Sequence, residues 1–231
     1  MAESHPLDNP VVASLAGPHA RFAEWRGRSV RYPADMTPFH GLPDRPVAAD
    51  WAELAELAGP GAVVLLAIDA AVVPPADWEV PFRIEGVQLV GEQVLGKADP
   101  EAVRLGPADV PEMLALVERT RPGPFLSRTV EMGGYLGIRR DGALIAMAGE
   151  RMHPPGHTEI SAVCTDPAHR GEGLASRLLL AVAAGVRERG ETPFLHAAGD
   201  NTDAIRLYGA LGFRLRRPIT FTGVRTPGRA G

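Results

Sequence analysis

The sequence has a single cysteine, Cys164, among its 231 residues. No disulfide can close within the chain, and no zinc site can be built from cysteine. That usage fits a reducing compartment. Long apolar runs are also missing: the stretches at 62–68 and 178–186 are too short to cross a bilayer. The opening MAESHPLDNP lacks the basic-then-apolar pattern of a secretory leader. Positive charge is not in excess, because the net formal charge is −4, so a general affinity for nucleic acid is not expected. His153 and His157 stand four apart, but Pro154, Pro155 and Gly156 between them forbid the helix that would align them on a metal. The expectation is a cytoplasmic protein with no metal, no membrane and no nucleic-acid partner.

What is present is an ordinary globular composition, 45% hydrophobic and 23% charged, long enough for one large domain or two small ones. Residues 32–46 carry four prolines and read as an extended loop. A helix follows over 48–57, closed by Gly59-Pro60, and then a buried strand over 62–68. PPADWEVPF reads as a loop and VQLV as a strand. The stretch 96–102 reads as a linker. Beyond it the pattern predicts a strand at 102–105 and a helix at 108–120. A hairpin follows over 135–139 and 143–151, turning at Arg140-Asp141-Gly142. A strand is expected at 159–165, a helix at 174–189, a strand at 193–198 and a helix at 202–211. Two short strands, 213–215 and 219–224, close the sheet ahead of a loose tail, TPGRAG. These elements predict an α/β fold with helices over a mixed sheet. The division expected is 1–98, 99–225 and a tail over 226–231.

The chemistry concentrates in TDPAHRGEGLASRLLLA. A strand, a glycine turn and a helix in that order place free backbone N–H groups at a helix N-terminus, where the dipole attracts anions. Gly171 and Gly173 permit a tight turn and close approach of a ligand, and Arg170 adds a cation suited to phosphate. A P-loop is excluded because no lysine follows the glycines. A dinucleotide fingerprint would need a third glycine where Ser176 stands.

The stretch EISAVCTDPAHRGEGLASRLL, followed by DNTDAIRLYGALGF, resembles the GNAT superfamily of acyl-CoA-dependent N-acyltransferases. Arg170, Gly173 and Ala175 match its pyrophosphate segment, and Asn201, Ala204, Leu207, Tyr208, Gly212 and Phe213 match its second segment. The resemblance covers about 102–224. It implies a mostly antiparallel sheet flanked by helices. Residues 1–98 would be an accessory lobe or a degenerate second copy of the fold, perched over the acceptor site. It implies acetyl-CoA as cosubstrate and a small-molecule or peptide amine as acceptor, in a monomer or homodimer. By resemblance the strand around Val163, Cys164 and Thr165 would pair with the pantetheine arm. The amides of Arg170, Gly171, Glu172, Gly173, Leu174, Ala175 and Ser176 would hold the pyrophosphate. Asn201 would bond the arm, and Tyr208 would be the general acid.

Each role has a plainer alternative. Tyr208 lies on the apolar face of its helix and could be a core aromatic. Glu159 could take the amine's proton, directly or through water, or be a solvated strand end. Glu131, Glu150 and His196 are rival bases, His196 being mid-strand and structural in character. Cys164 inside an apolar strand reads as packing, not as an acyl nucleophile. Two function classes stay open: an N-acetyltransferase, and a non-catalytic acyl-CoA sensor or interaction module on the same fold.

Overall fold

A computed structural model of the chain describes residues 5–68 and 71–228. Its strands form one sheet of eleven. The N-terminal part contributes α1 (Pro10–Leu15), β1 (Glu24–Arg26), β2 (Ser29–Arg31), β3 (Phe39–Gly41), α2 (Ala48–Ala58), β4 (Val63–Ile68) and β5 (Glu79–Val90). There follow β6 (Val103–Leu105), α3 (Val110–Thr120), β7 (Tyr135–Arg140), β8 (Ala143–Glu150) and β9 (His157–Thr165). The chain ends in α4 (Leu174–Glu188), β10 (Thr192–Ala198), α5 (Thr202–Ala210) and β11 (Arg214–Arg225). Strand order across the sheet is β1-β2-β3-β4-β11-β5-β10-β9-β8-β7-β6. Among the described residues only β3–β4 and β9–β10 pair in parallel, each across a helical crossover.

The expected mixed, mostly antiparallel sheet with helices on it is what forms. Helix α4 buries Leu174, Leu178, Leu179, Val182 and Val186 with α5 over the β5, β8 and β10 residues Leu89, Ala146, Ala148 and Leu195. Spacing of three and four along α4 sets that stripe. Helix α3 packs Met113 and Leu116 against Met147 and Cys164 on the other face. In the N-terminal half, Leu7, Val11 and Leu15 meet Phe39, Ala67, Val90 and Phe194. Trp51 and Leu54 of α2 join Val64, Leu66 and Val224. Each such Leu, Val or Phe contributes roughly 1.5–3 kcal/mol by leaving water.

The boundary expected at residue 98 falls between β5, which lies between β11 and β10 in the sheet, and β6 at the sheet's edge. Several element expectations need correction. The linker is docked: Arg177 grips Asp99 through Nε at 2.7 Å and Nη2 at 2.8 Å, and the Lys97 amide donates to the Leu180 carbonyl. The loop expected at PPADWEVPF ends at Glu79, where β5 begins. Pro81 is tolerated there because this half of β5 has a ladder with β11 alone. The two closing strands are one, Arg214–Arg225, with a register shift between Leu215 and Arg217. The proline-rich loop contains β3, and α1, β1 and β2 were not expected. Their segments are too short for a periodic signal. The tail starts later than predicted: the Thr226 hydroxyl donates to the Gly59 carbonyl at 2.6 Å and accepts from the Ala62 amide at 3.0 Å. Its end, 229–231, lies outside the described residues.

Candidate active site

The site is a fault in the sheet. Strands β9 and β10 pair only at His157↔Thr192, Thr158↔Pro193 and Glu159↔Phe194. Both continue, β9 to Thr165 and β10 to Ala198, with no further ladder between them. The strands therefore splay into a V with Glu159 at its apex, leaving one edge of β9 from Ile160 onward without a strand partner. A bulge sits in the arm of the V. Ala162 and Val163 together oppose Ala148, and Ala162 has φ +53, a left-handed conformation costly for a residue with a side chain. The bulge shifts the alternation, so Ile160 and Val163 face α4 while Ala162 and Cys164 face α3.

A cleft of about 1070 Å³ runs through the V. On the α4 side its wall is the glycine turn. Gly171 and Gly173 have φ +85 and +73, and Gly173 is the N-cap of α4 with no side chain bonded to the helix end. The first backbone bond of the helix is Arg177 N–H to the Gly173 carbonyl, so the amides of Leu174, Ala175 and Ser176 remain as donors. Arg170 is exposed and lines the cleft, as do Val163, Cys164, Thr165, Gly171, Gly173, Leu174, Ala175, Ser176, Asn201 and Tyr208. The Thr165 Oγ1 is buried without a partner, a polar group that a ligand in the V would satisfy.

Some expected contacts are narrowed. Glu172 is absent from the lining, and its carboxylate lies 3.0 Å from His169 Nδ1. Only its amide is left for an anion. The Cys164 thiol packs in the α3 core, and burial raises its pKa to about 11, against any nucleophilic role. The Asn201 Oδ1 accepts from the Ala204 amide at 3.2 Å and caps α5, which leaves Nδ2 for the cleft. Tyr208 is 9% exposed and its hydroxyl has no hydrogen-bond partner among the described residues. Burial pushes its pKa up to about 12.

Glu159 departs furthest from expectation. It is neither a solvated strand end nor a base open to the cleft, being fully buried and absent from the lining. Arg151 holds it in a fork, Nε to Oε2 at 2.8 Å and Nη2 to Oε1 at 2.7 Å, and His196 Nδ1 reaches Oε1 at 2.8 Å. Burial alone would raise its pKa, but the guanidinium prevails and holds the carboxyl well below the usual range. A carboxylate so engaged has no free lone pair to reach for an amine. His196 is similarly committed. Gln88 donates from Nε2 both to the Leu7 carbonyl at 2.9 Å and to His196 Nε2 at 3.1 Å, and its Oε1 accepts from Arg216. These partners fix the amide, and so the tautomer with Nδ1 protonated. Glu131 is paired with Arg128 at 2.8 Å and Glu150 with Arg189 at 2.9 Å, and neither lines the cleft.

Sequence reading missed Arg151 and the wall on the sheet face away from α4. Phe39, Leu65, Phe82, Ile84 and Phe221 line the cleft there. A signal existed for Arg151: it and Glu159 are opposite charges placed symmetrically, each one residue outside the span from Met152 to Thr158 that contains the HPPGH turn. Their cross-strand bond follows, Arg151 N–H to the Glu159 carbonyl at 3.0 Å.

Comparison with known proteins agrees with this geometry. The family model for FR47-like protein matches residues 135–221. Over 192 residues the chain is 30% identical to the mycothiol acetyltransferase of Saccharomonospora viridis, covering 75% of this chain and 59% of that protein. Over 83 residues it is 35% identical to the N-alpha-acetyltransferase RimI of Mycobacterium tuberculosis, 35% of this chain and 51% of that protein. It thus spans little more than half the length of either. A crystal structure from Novosphingobium aromaticivorans, of a proposed acetyltransferase from the GNAT family, matches 99% of this chain and 100% of its own at 41% identity and a TM-score of 0.88. A GCN5-related N-acetyltransferase of Kribbella flavida shares the fold at 16% identity, over 94% of this chain and 96% of its own, with a TM-score of 0.61.

Proposed function

The chain belongs to the GNAT superfamily, and from that premise we propose that it transfers an acetyl group from acetyl-CoA to a primary amine in a ternary complex. The observation that carries the proposal is the V between β9 and β10, with uncapped amides of α4 at one mouth. Those amides and Arg170 would hold a pyrophosphate. The open edge of β9 at Val163 and Thr165, with Asn201 Nδ2 opposite, would hold an extended amide-bearing arm. Acetyl-CoA, when bound, supplies a thioester: the amine's C–N bond forms, the C–S bond breaks, and the proton leaving nitrogen ends on the thiol.

Tyr208 would face the departing sulfur. Burial that raises the Tyr208 pKa to about 12 keeps the phenol protonated near neutral pH, so Tyr208 would act as a hydrogen-bond donor that stabilises the leaving sulfur. Glu159 takes no proton. It balances Arg151 and fixes His196 at the apex, and the ammonium loses its proton to solvent. The apex pair makes the floor rigid, which favours orientation of the reactants. The absence of a free base among the lining residues also suits the sensor reading, so turnover must separate the two.

The test is acetyl-CoA consumption with a panel of primary amines. The rate is expected to rise with pH through the acceptor's own pKa. Tyr208→Phe is expected to lower kcat by about 10–100-fold with CoA affinity unchanged. Wild-type turnover in that variant would assign Tyr208 to packing. Tight CoA binding without turnover on any amine would favour the sensor. Cys164 is free and buried, which suits a cytoplasmic setting, and no helix of the described residues is long and apolar enough to cross a membrane.

A further inference from the structure

The two ends of the cleft differ in character. The α4 end carries His169, Arg170 and the helix amides. On the face of the sheet away from α4, beside the open arm of β10, the wall is apolar, built by Phe39, Leu65, Phe82, Ile84 and Phe221 from four strands that the family motifs do not include. Phe82 and Ile84 are 41% and 45% exposed. They are nonetheless fixed in place. The Phe82 ring lies over Gly223, where any Cβ would collide with it, and Ile84 stands opposite Phe221 in the ladder. Phe221 meets Phe39 at 6.2 Å between centroids and His196 at 5.6 Å, and the Arg151 guanidinium lies 4.8 Å over the Phe39 ring. The result is an aromatic surface that runs from the open end of the V towards Arg151 and His196.

Charge narrows what this surface takes. Asp203 supplies the one carboxylate among the lining residues, and it lies on α5 at the far end, paired with Arg206. Glu159 is spent on Arg151 and His196. A second ammonium on the acceptor would be desolvated beside Arg151 with no anion to receive it. An aryl or branched alkyl group would cover Phe82 and Ile84 and meet rings in edge-to-face geometry. We propose that the acceptor is a primary amine on an uncharged aromatic or branched aliphatic body, seated on Phe82, Ile84 and Phe221 with its nitrogen directed into the V between β9 and β10. This inference rests on the transfer reading above and specifies its acceptor.

The experiment uses the full chain loaded with CoA. Calorimetry measures binding of 2-phenylethylamine, 3-methylbutylamine and 1,4-diaminobutane, and steady-state transfer from acetyl-CoA is measured with the same three. The two monoamines are expected to bind, and to show kcat/KM, at least about tenfold above the diamine. Phe82→Ala and Ile84→Ala, both at exposed positions, should each cut that preference by about fivefold or more without changing acetyl-CoA affinity. Melting temperatures check that both variants fold. Equal or better use of the diamine overturns the proposal. So does an unchanged preference in Phe82→Ala, binding of none of the three, or a preference for benzoyl-CoA over acetyl-CoA, which would make the wall an acyl pocket. Monoamine binding without transfer keeps this acceptor class and removes the transferase reading. Transfer to the diamine alone does the reverse.

Discussion

Two β–α–β crossovers lie in one sheet, and they make different things of the same topology. In β3–α2–β4 the strands are parallel neighbours at Phe39↔Leu65 and His40↔Leu66, and the positive end of α2 already holds a carboxylate from its own first turn, Asp50. Asp50 accepts from the Val47 amide at 2.7 Å and from Arg28 at 2.6 Å, and is 1% exposed. In β9–α4–β10 the strands part after Glu159↔Phe194, and α4 begins at a glycine that offers no cap. One helix end faces a buried carboxylate of its own chain, while the other has no acidic residue in its first turn and leaves its donors at the wall of a cleft. Connectivity alone does not make a site. The difference lies in which residue stands at the helix start and whether the strands stay paired. The two crossovers are also consistent with the N-terminal half being a degenerate copy of the other, which remains a proposal.

The most severe way to break the comparison is to remove its first member. A chain starting at Asp99 lacks β5, an inner strand, and exposes the edges of β10 and β11. It is expected not to fold, and circular dichroism with a melting curve would show it. A truncation that melts cooperatively and binds CoA would establish 99–225 as an independent domain.

Next in size is the apex. Arg151→Met leaves Glu159 buried without its cation, and should cost about 3–5 kcal/mol in urea unfolding. The ion pair also predicts acid sensitivity. The folded carboxyl titrates below the unfolded one, so its stabilisation is present above about pH 4.5 and is lost as pH falls through the folded value.

Histidines on the N-terminal side add a smaller, higher window. Burial lowers His19 to about 3, and its ring is locked neutral between the Tyr32 hydroxyl at 3.0 Å and the Met132 carbonyl at 2.9 Å. The unfolded chain binds a proton near 6.5 that the folded one refuses, so stability falls as pH drops from about 6.5 towards 3. At pH 5 the loss from this group is about 2 kcal/mol. His19→Gln should flatten the melting temperature between pH 7 and 5 relative to wild type. Parallel curves would place the acid sensitivity elsewhere.

The smallest effect sharpens the comparison most. Gly59 ends α2 at φ +85 and Gly173 begins α4 at φ +73, and an added Cβ meets nothing at either. Alanine at each should cost about 1 kcal/mol of stability through the same backbone strain. Only Gly173→Ala should also weaken CoA, by about tenfold, because its backbone presents the helix amides to the anion. Equal CoA affinity in both variants would detach the glycine turn from the cofactor.

Legibility differed between the halves for a physical reason. Helices α3, α4 and α5 and strands β7 to β10 are long and periodic, so apolar spacing marks them within one or two residues. Strands β1, β2 and β3 have three residues each, too few for any period, and exist because neighbours supply their ladders. Strand β5 was legible only at VQLV, since its other half is exposed and carries Pro81. The glycine turn and the Asn201–Phe213 segment were readable because local backbone geometry demands those residues in that order.

Local chemistry thus decided, from sequence alone, the helix with an uncapped glycine start, the tyrosine on the inner face of α5, and the fold class. The tertiary structure alone decided the state of Glu159. Its ionisation and its reach depend on Arg151, His196 and, through Gln88, on Leu7 and Arg216, residues scattered from one end of the chain to the other. The aromatic wall is tertiary for the same reason. Phe39, Leu65, Phe82, Ile84 and Phe221 share no period and become one surface only where β3, β4, β11 and β5 lie side by side. A residue's propensity is set by its neighbours in sequence, but the charge and solvent around its side chain are set by neighbours in space.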